Sequence, residues 1–477
     1  MIFRKGGWIP TRRMSLSAMG EGPINGENIL KGGGITIYDL LSGLVEEIGH
    51  HLRFLCPIGQ DGKNVCHSFT NILIRRFDME RKKLLLGSVI VIVMLVVFPS
   101  FAASDTPTTK TLRIGGLFAL TGWFSSFDIL QWEEAQLARD MINEDGGIVV
   151  KGEHYMIELI AEDFKSTTDG VVAGANKLVY DKNVKFMISP SAFFSGAATD
   201  ICEPNKVLRG ICFILGTPQE LGPGTKYAFL CHNASVEHAL TAMTYLKQAY
   251  PKAKNVAFVI PDDGIQDFVF PQIKKLLTER GISVIGDMIT YPNEMVDFSP
   301  IAAKVVATKA DALFMQNGLV PHAANILKRL REMGSEMPFA ASISANVKDI
   351  KTIAGEAAST NFFTIGPMIG APNTPPLMAE ILRRLTDKYG TERSIHMQPI
   401  NVLYIMKQAI EAAQSFDTTV VRDTWEKMET FETPYGIGHM GGLKTYGIKH
   451  AVSHPDIIQV LDKGEPKFGA WIDIQVP

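Results

Sequence analysis

An excess of charge of one sign is missing from this sequence of 477 residues, in which 47 lysines and arginines face 50 aspartates and glutamates. The formal net charge of -3 argues against nucleic acid as a partner, because a phosphate-reading surface normally needs concentrated positive charge. No internal repeat of fixed period and no long low-complexity segment occurs. The 46% hydrophobic residues suffice for more than one core, and the length predicts two or three domains.

Cysteine is also scarce, and no cysteine lies in a CxxC pair or beside histidines at the spacing of zinc ligands. We therefore expect no metal site and no cofactor. If the chain is exported, Cys202 and Cys212 could form a disulfide. Alternatively, the exported cysteines are small buried residues. The five cysteines are Cys56, Cys66, Cys202, Cys212 and Cys231.

Motifs of catalysis are missing as well. The chain has no GxSxG, no HExxH, no P-loop and no GxGxxG after a strand. Two pairs of adjacent carboxylates, Glu162-Asp163 and Asp262-Asp263, stand at predicted strand ends, where such acids are usually solvated caps. We therefore expect a binding protein and not an enzyme.

One long hydrophobic run has the layout of a secretory signal. A basic cluster, Arg81 to Lys83, precedes an unbroken apolar stretch from Leu84 to Val97, and small residues follow. The run is shorter than the roughly 20 apolar residues of a bilayer span, which favours a signal over the alternative, a transmembrane anchor. We predict a signal peptide over 79–102, cleaved between Ala102 and Ala103. No cysteine stands directly after that point, so a lipid anchor is not expected.

The segment 1–78 precedes this signal and shows no sustained period. Because a signal normally stands at the N-terminus, we interpret Met79 as the true start and 1–78 as an upstream extension that is not part of the native protein. Peptides from 1–78 in the native protein would contradict this interpretation.

After a polar leader, nearly continuous apolar runs alternate with amphipathic stretches. Strand, helix, strand at this spacing predicts parallel sheets covered by helices on both faces, and the length requires two such sheets. The stretch Gly224 to Ser235 is the expected first crossing between them. Predicted strands are Leu112–Phe118, Tyr155–Ala161, Phe186–Ile188, Ile211–Ile214, Val256–Ile260, Ser283–Ile289, Ala312–Met315, Ile457–Leu461 and Ala470–Ile474. Predicted helices are Trp132–Glu144, Val171–Asp181, Glu237–Ala249, Asp267–Arg280, Pro300–Thr308, Pro321–Met333, Leu377–Tyr389, Pro399–Ala413 and Val421–Met428.

The order of motifs carries a family resemblance. The chain reads TLRIGGLFALTG, then AQLARDMINEDGG, and further on NVAFVIPDD, ERGISVIGDMITYP, DFSPIAAKVVATKADALFM and LKRLREMG. This series resembles the type I periplasmic binding proteins, the substrate-binding proteins of branched-chain amino acid ABC transporters, over about residues 110–475. The resemblance implies an α/β fold of two Rossmann-like lobes with parallel sheets, joined by a three-strand hinge. We expect lobe 1 to comprise 110–231 and 362–435, and lobe 2 to comprise 232–361 and 436–477.

In relatives of this type, ligands contact loops at the carboxyl ends of strands, where open parallel sheets leave a crevice. The first such loop here has three aromatic residues, Trp123, Phe124 and Phe127. The second contains Phe193, Phe194 and Ser195 before a predicted helix start, which suits a carboxylate; Ser195 could instead only cap that helix. The third, Thr217 to Leu221, is similar to the family's Thr-x-Pro-Glu-Leu stretch. The expected ligand contacts are Trp123, Phe124, Ser125, Phe127, Phe193, Phe194, Ser195, Gly196, Thr217, Pro218, Asp263, Ile265, Asn317 and Ser342.

The second lobe departs from the amino acid binders. Gly264-Ile265 replaces the family's Tyr-Gly, and the expected loop from Ser342 to Asn346 offers no acid for an α-ammonium group. A buried ammonium without a countercharge costs several kcal/mol. The phenylalanines favour an aromatic or aliphatic carboxylate, and a branched-chain amino acid paired with Asp263 is the alternative.

Together these features indicate a soluble periplasmic protein that captures a small molecule by lobe closure and delivers it to an ABC permease and ATPase complex. We expect a monomer. The alternative is a ligand sensor of the same fold that acts on a signalling partner.

Overall fold

The computed structural model of the chain describes residues 110–262, 264–390 and 394–476. The expected extension 1–78, the expected signal 79–102 and Asp263 lie outside these residues. Within the described part, two mixed sheets with a parallel centre are covered by helices, as predicted for an α/β fold of two lobes.

The first sheet has the order β13-β14-β15-β6-β5-β4-β1-β3-β2. Its central strands run parallel, because helices connect them and cover both faces. The strands at either end, β2, β13 and β14, pair in antiparallel fashion. The strands are β1 Lys110–Phe118, β2 Ile148–Val150, β3 Glu153–Asp163, β4 Phe186–Ser189, β5 Leu208–Ile211, β6 Ala228–Leu230, β13 Thr430–Thr433, β14 Gly436–Gly441 and β15 Ala451–Ser453.

The second sheet has the order β17-β16-β12-β11-β10-β7-β8, and β9 also pairs with β7. Strands β7, β10, β11 and β12 are parallel and largely buried, whereas β16 and β17 add an antiparallel edge. The strands are β7 Asn255–Asp262, β8 Ser283–Val284, β9 Ile289–Pro292, β10 Ala312–Gln316, β11 Phe339–Ser344, β12 Phe362–Ile365, β16 Asp456–Asp462 and β17 Glu465–Ile472.

Helices follow most of the parallel strands and pack on the sheets through their apolar faces. A π-helical turn, Lys177–Asp181, extends the second helix, and a 3₁₀ turn spans Ala192–Phe194. The helices are α1 Ser125–Glu144, α2 Thr168–Asn176, α3 Thr199–Cys202, α4 Ser235–Ala249, α5 Gln266–Glu279, α6 Ser299–Ala307, α7 Val320–Glu332, α8 Val347–Ala354, α9 Pro376–Tyr389, α10 Gln398–Ala413, α11 Thr418–Trp425 and α12 Leu443–Tyr446.

The chain crosses between the sheets three times, at 231–234, 366–375 and 454–455. The first crossing falls inside the predicted stretch Gly224 to Ser235. The expected return boundaries differ from the sheet order, because β12 belongs to the second sheet and not to lobe 1. Likewise β14 and β15, inside the range expected for lobe 2, extend the first sheet beside β6.

The first and third crossings are joined by hydrogen bonds. The Asn233 side chain accepts the His454 backbone N–H at 3.2 Å and donates to the His454 carbonyl at 2.7 Å. It also donates to Asp456 Oδ2 at 2.7 Å, and His454 Nε2 lies 3.0 Å from His232 Nδ1. We call His232, Asn233, His454 and Asp456 the hinge cluster.

Burial sets the protonation of the hinge cluster. Desolvation lowers the pKa of His454 to about 4 and holds the pKa of His232 well below its ordinary value. The same desolvation raises the pKa of Asp456 to about 7. On the adjoining α4, burial lowers the pKa of His238 to about 3 and raises that of Glu237. The histidines are therefore neutral near pH 7, and no imidazolium is buried in the crossings.

Some element boundaries differ from the sequence prediction. The predicted strand Ser283–Ile289 is two short strands, because Gly286 between them has a φ of 73°. The strand predicted at Ile211–Ile214 lies earlier, where Leu208 to Ile211 pair with β4 residue by residue. Cys202, Cys212 and Cys231 are free and buried, so the disulfide alternative was wrong for Cys202 and Cys212. Among the helices of the described ranges, none is long and apolar enough to span a bilayer.

Candidate functional site

A cavity of about 120 Å³ lies where carboxyl ends of strands from both sheets meet. Such edges leave a crevice in open α/β sheets, because neighbouring loops diverge there. Loops after β1, β4 and β5 and the start of α10 form its first-lobe wall, and β11 with the loop after β10 forms the other. Its lining residues are Phe124, Phe127, Ser191, Ala192, Phe193, Phe213, Leu215, Asn317, Gly318, Leu319, Val320, Ser342, Ile343, His396 and Gln398.

The first predicted loop is shorter than expected, because α1 begins at Ser125 and not at Trp132. Phe124 and Phe127 line the cavity, with ring centroids 5.1 Å apart. The Ser125 hydroxyl donates to the Gly122 carbonyl at 2.7 Å and is not among the lining groups. Trp123 stands outside the cavity, 62% exposed, and packs on Phe193 at 5.9 Å.

The second predicted loop divides between cavity and core. Phe193 lines the cavity, whereas Phe194 is buried against Phe164 at 4.8 Å. The backbone amides of Phe194 and Ser195 donate to carbonyls within the same turn. The sequence predicted that amides at this helix start would bind an anion, but these two are already occupied. Gly196 also lies outside the described lining.

A buried carboxylate occupies the hydroxyl groups that the sequence assigned to a ligand. Glu220 accepts hydrogen bonds from the Ser195 hydroxyl and, at 3.0 Å, from the Thr217 hydroxyl. It also accepts the backbone amides of Leu215, Gly216 and Thr217 at 2.9, 2.8 and 2.6 Å. Pro218 belongs to this same turn and does not line the cavity. The Ser195 and Thr217 hydroxyls are therefore directed at Glu220.

The second lobe contributes Asn317 and Ser342, both predicted. Ser342 was expected in a loop, but it pairs with Gln316 inside β11. Asn317 follows β10 in the left-handed region, with a φ of 54°, which asparagine tolerates better than most residues. Ile265 precedes α5 and packs with the core, away from the described lining.

Sequence reasoning missed several lining residues. Ser191 lies two residues after the end of β4 and was passed over in favour of Ser195, four residues on. Phe213 and Leu215 were assigned to a strand or left unassigned, because the end of β5 was placed too late. His396 and Gln398 precede the predicted helix start at Pro399. Two polar residues just before a helix start could have indicated that this segment lines a site.

Charge is absent from the cavity wall. Of the described lining residues, none is Asp, Glu, Lys or Arg, and His396 is the ionisable one. Its ring packs on Phe127 with centroids 4.3 Å apart. Next to Phe127, burial raises the pKa of Asp128 to about 7, and its carboxylate accepts the Ala119 amide at 2.7 Å. No group of three potential metal ligands occurs in the described ranges.

Comparisons with known proteins agree with this architecture. The family model described as periplasmic binding protein matches residues 111–465. The Leu/Ile/Val-binding protein homolog 1 of Brucella abortus (strain 2308) is 24% identical over 306 residues, which are 63% of this chain and 78% of that protein.

Solved structures show the same fold. The branched-chain amino acid transporter substrate binding protein LivJ from Streptococcus pneumoniae, in complex with isoleucine, has a TM-score of 0.63 at 19% identity and covers 76% of this chain and 100% of its own. A solute binding protein of an ABC transporter from Rhodopseudomonas palustris BisB5, in complex with 3,4-dihydroxy benzoic acid, has a TM-score of 0.58 at 18% identity and covers 76% and 96%. With its model match and its two-lobed type I fold, the chain belongs to the periplasmic binding protein family.

Proposed function

We propose that this chain is the exported solute-binding component of an ABC importer, which captures a small ligand between its lobes and delivers it to a permease. The observation that carries this proposal is the shared cavity. Phe124, Phe193 and Gln398 approach it from the first lobe, and Asn317 and Ser342 from the second. A ligand held there contacts both lobes at once.

Such a shared cavity links binding to a movement of the lobes. Each lobe alone offers half of the contacts, so a ligand favours the arrangement in which both halves meet around it. The closed arrangement also brings both lobe surfaces into one orientation that a permease can recognise. Three crossings connect the sheets, an arrangement that favours a hinge-like relative motion of the lobes.

The phenylalanines give the cavity an apolar wall. A signal peptide over 79–102 would deliver the protein to the periplasm. A monomer suffices for this role, because both walls of the cavity come from one chain. Micromolar affinity, about -8 kcal/mol, is ordinary for ligands of this size.

The test has two steps. Thermal-shift screening of the purified protein against amino acids, aromatic acids and their neutral analogues first identifies compounds that bind. Uptake of a labelled binder is then measured in cells that carry or lack the gene. We expect uptake to fall when the gene is removed and to return on complementation; binding without any change in uptake would contradict the importer role.

A further inference from the structure

Four polar side-chain atoms of the cavity lining await a partner. These atoms are Ser191 Oγ, Asn317 Nδ2, Ser342 Oγ and Gln398 Oε1, and each residue is more than nine-tenths buried. Within the described part of the chain, none of the four has a hydrogen-bond partner. Buried polar atoms normally have hydrogen-bond partners. Four such atoms without a partner in the lining of one cavity therefore point to a ligand.

Hydrogen bonds fix the polarity of the Asn317 side chain. Asn317 Oδ1 accepts the Ser235 hydroxyl at 2.5 Å and the Gln316 side-chain amide at 2.8 Å. Its Nδ2 is therefore a donor left for the cavity. Gln398 Oε1, in contrast, is an acceptor. A ligand that satisfies both must carry an acceptor for Asn317 and a donor for Gln398.

The charges around the cavity disfavour an ionised ligand. A cationic group would find no acid among the described lining residues, and an anion would find no Lys or Arg. In addition, the Leu215 amide in the first-lobe wall already donates to the Glu220 carboxylate and is not free for an anion. An ionised ligand would therefore be buried there without an opposite charge among the described lining residues, which is costly.

We propose that the cavity selects an uncharged, ring-bearing solute with one hydrogen-bond acceptor and one donor, and that it discriminates against amino acid zwitterions and carboxylates. The rings of Phe124, Phe127 and Phe193 supply the face for the solute's ring. Asn317 donates to the acceptor of the solute, and Gln398 accepts from its donor. The hydroxyls of Ser191 and Ser342 can either donate or accept. The inference rests on the proposed solute-binding function and specifies its ligand.

An isosteric charge series tests it. Calorimetric titration of the full exported chain uses 4-hydroxybenzamide, 4-hydroxybenzoate and 4-hydroxybenzamidine, which differ mainly in charge, together with leucine. We expect the neutral amide to bind at least about tenfold tighter than each of the others, because only its polar groups are satisfied without burying an ionised group. Equal or tighter binding of the benzoate, the amidine or leucine overturns the inference, as does a lack of binding by the amide.

Two matched variants test the role of Asn317. Asn317→Asp replaces the donor by an acceptor, and we expect it to weaken 4-hydroxybenzamide at least about tenfold. Asn183→Asp changes another left-handed asparagine, exposed and distant in the chain, and should bind like the wild type. Circular dichroism and melting verify that both fold, and Ser342→Ala serves as second variant if Asn317→Asp does not. Unchanged affinity in the folded variant contradicts the assignment.

The two proposals fail in different ways. If the protein binds leucine or 4-hydroxybenzoate in preference to the amide and supports its import, the proposed function stands and the neutral-ligand proposal is wrong. A protein that binds 4-hydroxybenzamide but supports no import keeps the ligand class and loses the importer role.

Discussion

At the scale of single residues, Glu220 decides what its neighbours can do. Its carboxylate accepts three backbone amides and two hydroxyls, so it fills a nest of donors that would otherwise suit an external anion. Ser195 and Thr217 therefore stabilise a turn. The local sequence contains no sign of this, because the contact joins Ser195 and Glu220 across 25 positions of the chain.

Glu220→Gln tests this role. The substituted amide nitrogen would face at least one donor, leaving it unsatisfied, and we expect a loss of about 1–3 kcal/mol in the free energy of unfolding. Urea denaturation measures the loss. Glu294→Gln, at an exposed position, is the matched control and should stay within about 0.5 kcal/mol of the wild type. Equal stability of both variants would show that Glu220 is not the anchor of the turn.

At the scale of elements, the hinge cluster couples the crossings to pH. In the unfolded chain the His454 imidazole binds a proton near pH 6.5, whereas burial lowers its pKa in the fold to about 4. The unfolded state therefore binds more protons between these values. The contribution of His454 to stability is lost as pH falls from 6.5 to 4.

His454→Gln removes this titration. We expect the stability of the wild type, relative to the variant, to decrease by about 3 kcal/mol as pH falls from 6.5 to 4. Asp456, whose pKa is raised, acts with the opposite sign but is present in both proteins. Urea denaturation across this range gives the difference, with the exposed His154→Gln as control. Parallel pH profiles for wild type and His454→Gln would contradict the prediction.

The long periodic elements were predictable from sequence, and the short ones were not. Helices such as Glu237–Ala249 and Pro399–Ala413 were found within two residues of their bounds, since their apolar periods are long. The start of α1 was missed because Phe124 precedes it without a capping side chain. Strands β6 and β12 have three or four residues each, and only pairing with neighbours identifies them.

The same limit applies to the candidate site. Phe124, Phe127, Phe193, Asn317 and Ser342 were predicted and line the cavity, because the ends of their strands could be placed. Which hydroxyls face the cavity depends on contacts distant in sequence, as the exchange of Ser195 for Ser191 shows. The ligand contacts themselves stay a prediction.

At the scale of the whole molecule, the two sheets share part of one apolar core. Ile211 and Leu230 of the first sheet belong to the same buried cluster as Phe258 and Phe314 of the second. The chain also crosses three times, so neither sheet is built from one continuous segment. Unfolding one lobe would expose core surface of the other.

We therefore expect a single calorimetric transition for residues 103–477. Trp425→Ala removes a buried ring stacked on Phe229 at 4.3 Å. It should lower the midpoint temperature of the whole transition and cost about 3–5 kcal/mol in the free energy of unfolding. Trp123→Ala removes a ring that is 62% exposed and should cost no more than about 1 kcal/mol. Two resolved transitions, of which Trp425→Ala moves only one, would show that the lobes unfold independently.

The division of the cavity between two walls also bears on how this protein acquires a new solute. Ser191 and Gln398 stand on one wall, Asn317 and Ser342 on the other, so a changed molecule must be accommodated by both. A change of ligand then requires matched substitutions that are far apart in the gene. A chimaera that joins lobes of two relatives at the crossings would combine cavity walls that do not match. Laboratory selection for an altered ligand should accordingly yield paired mutations, one on each wall.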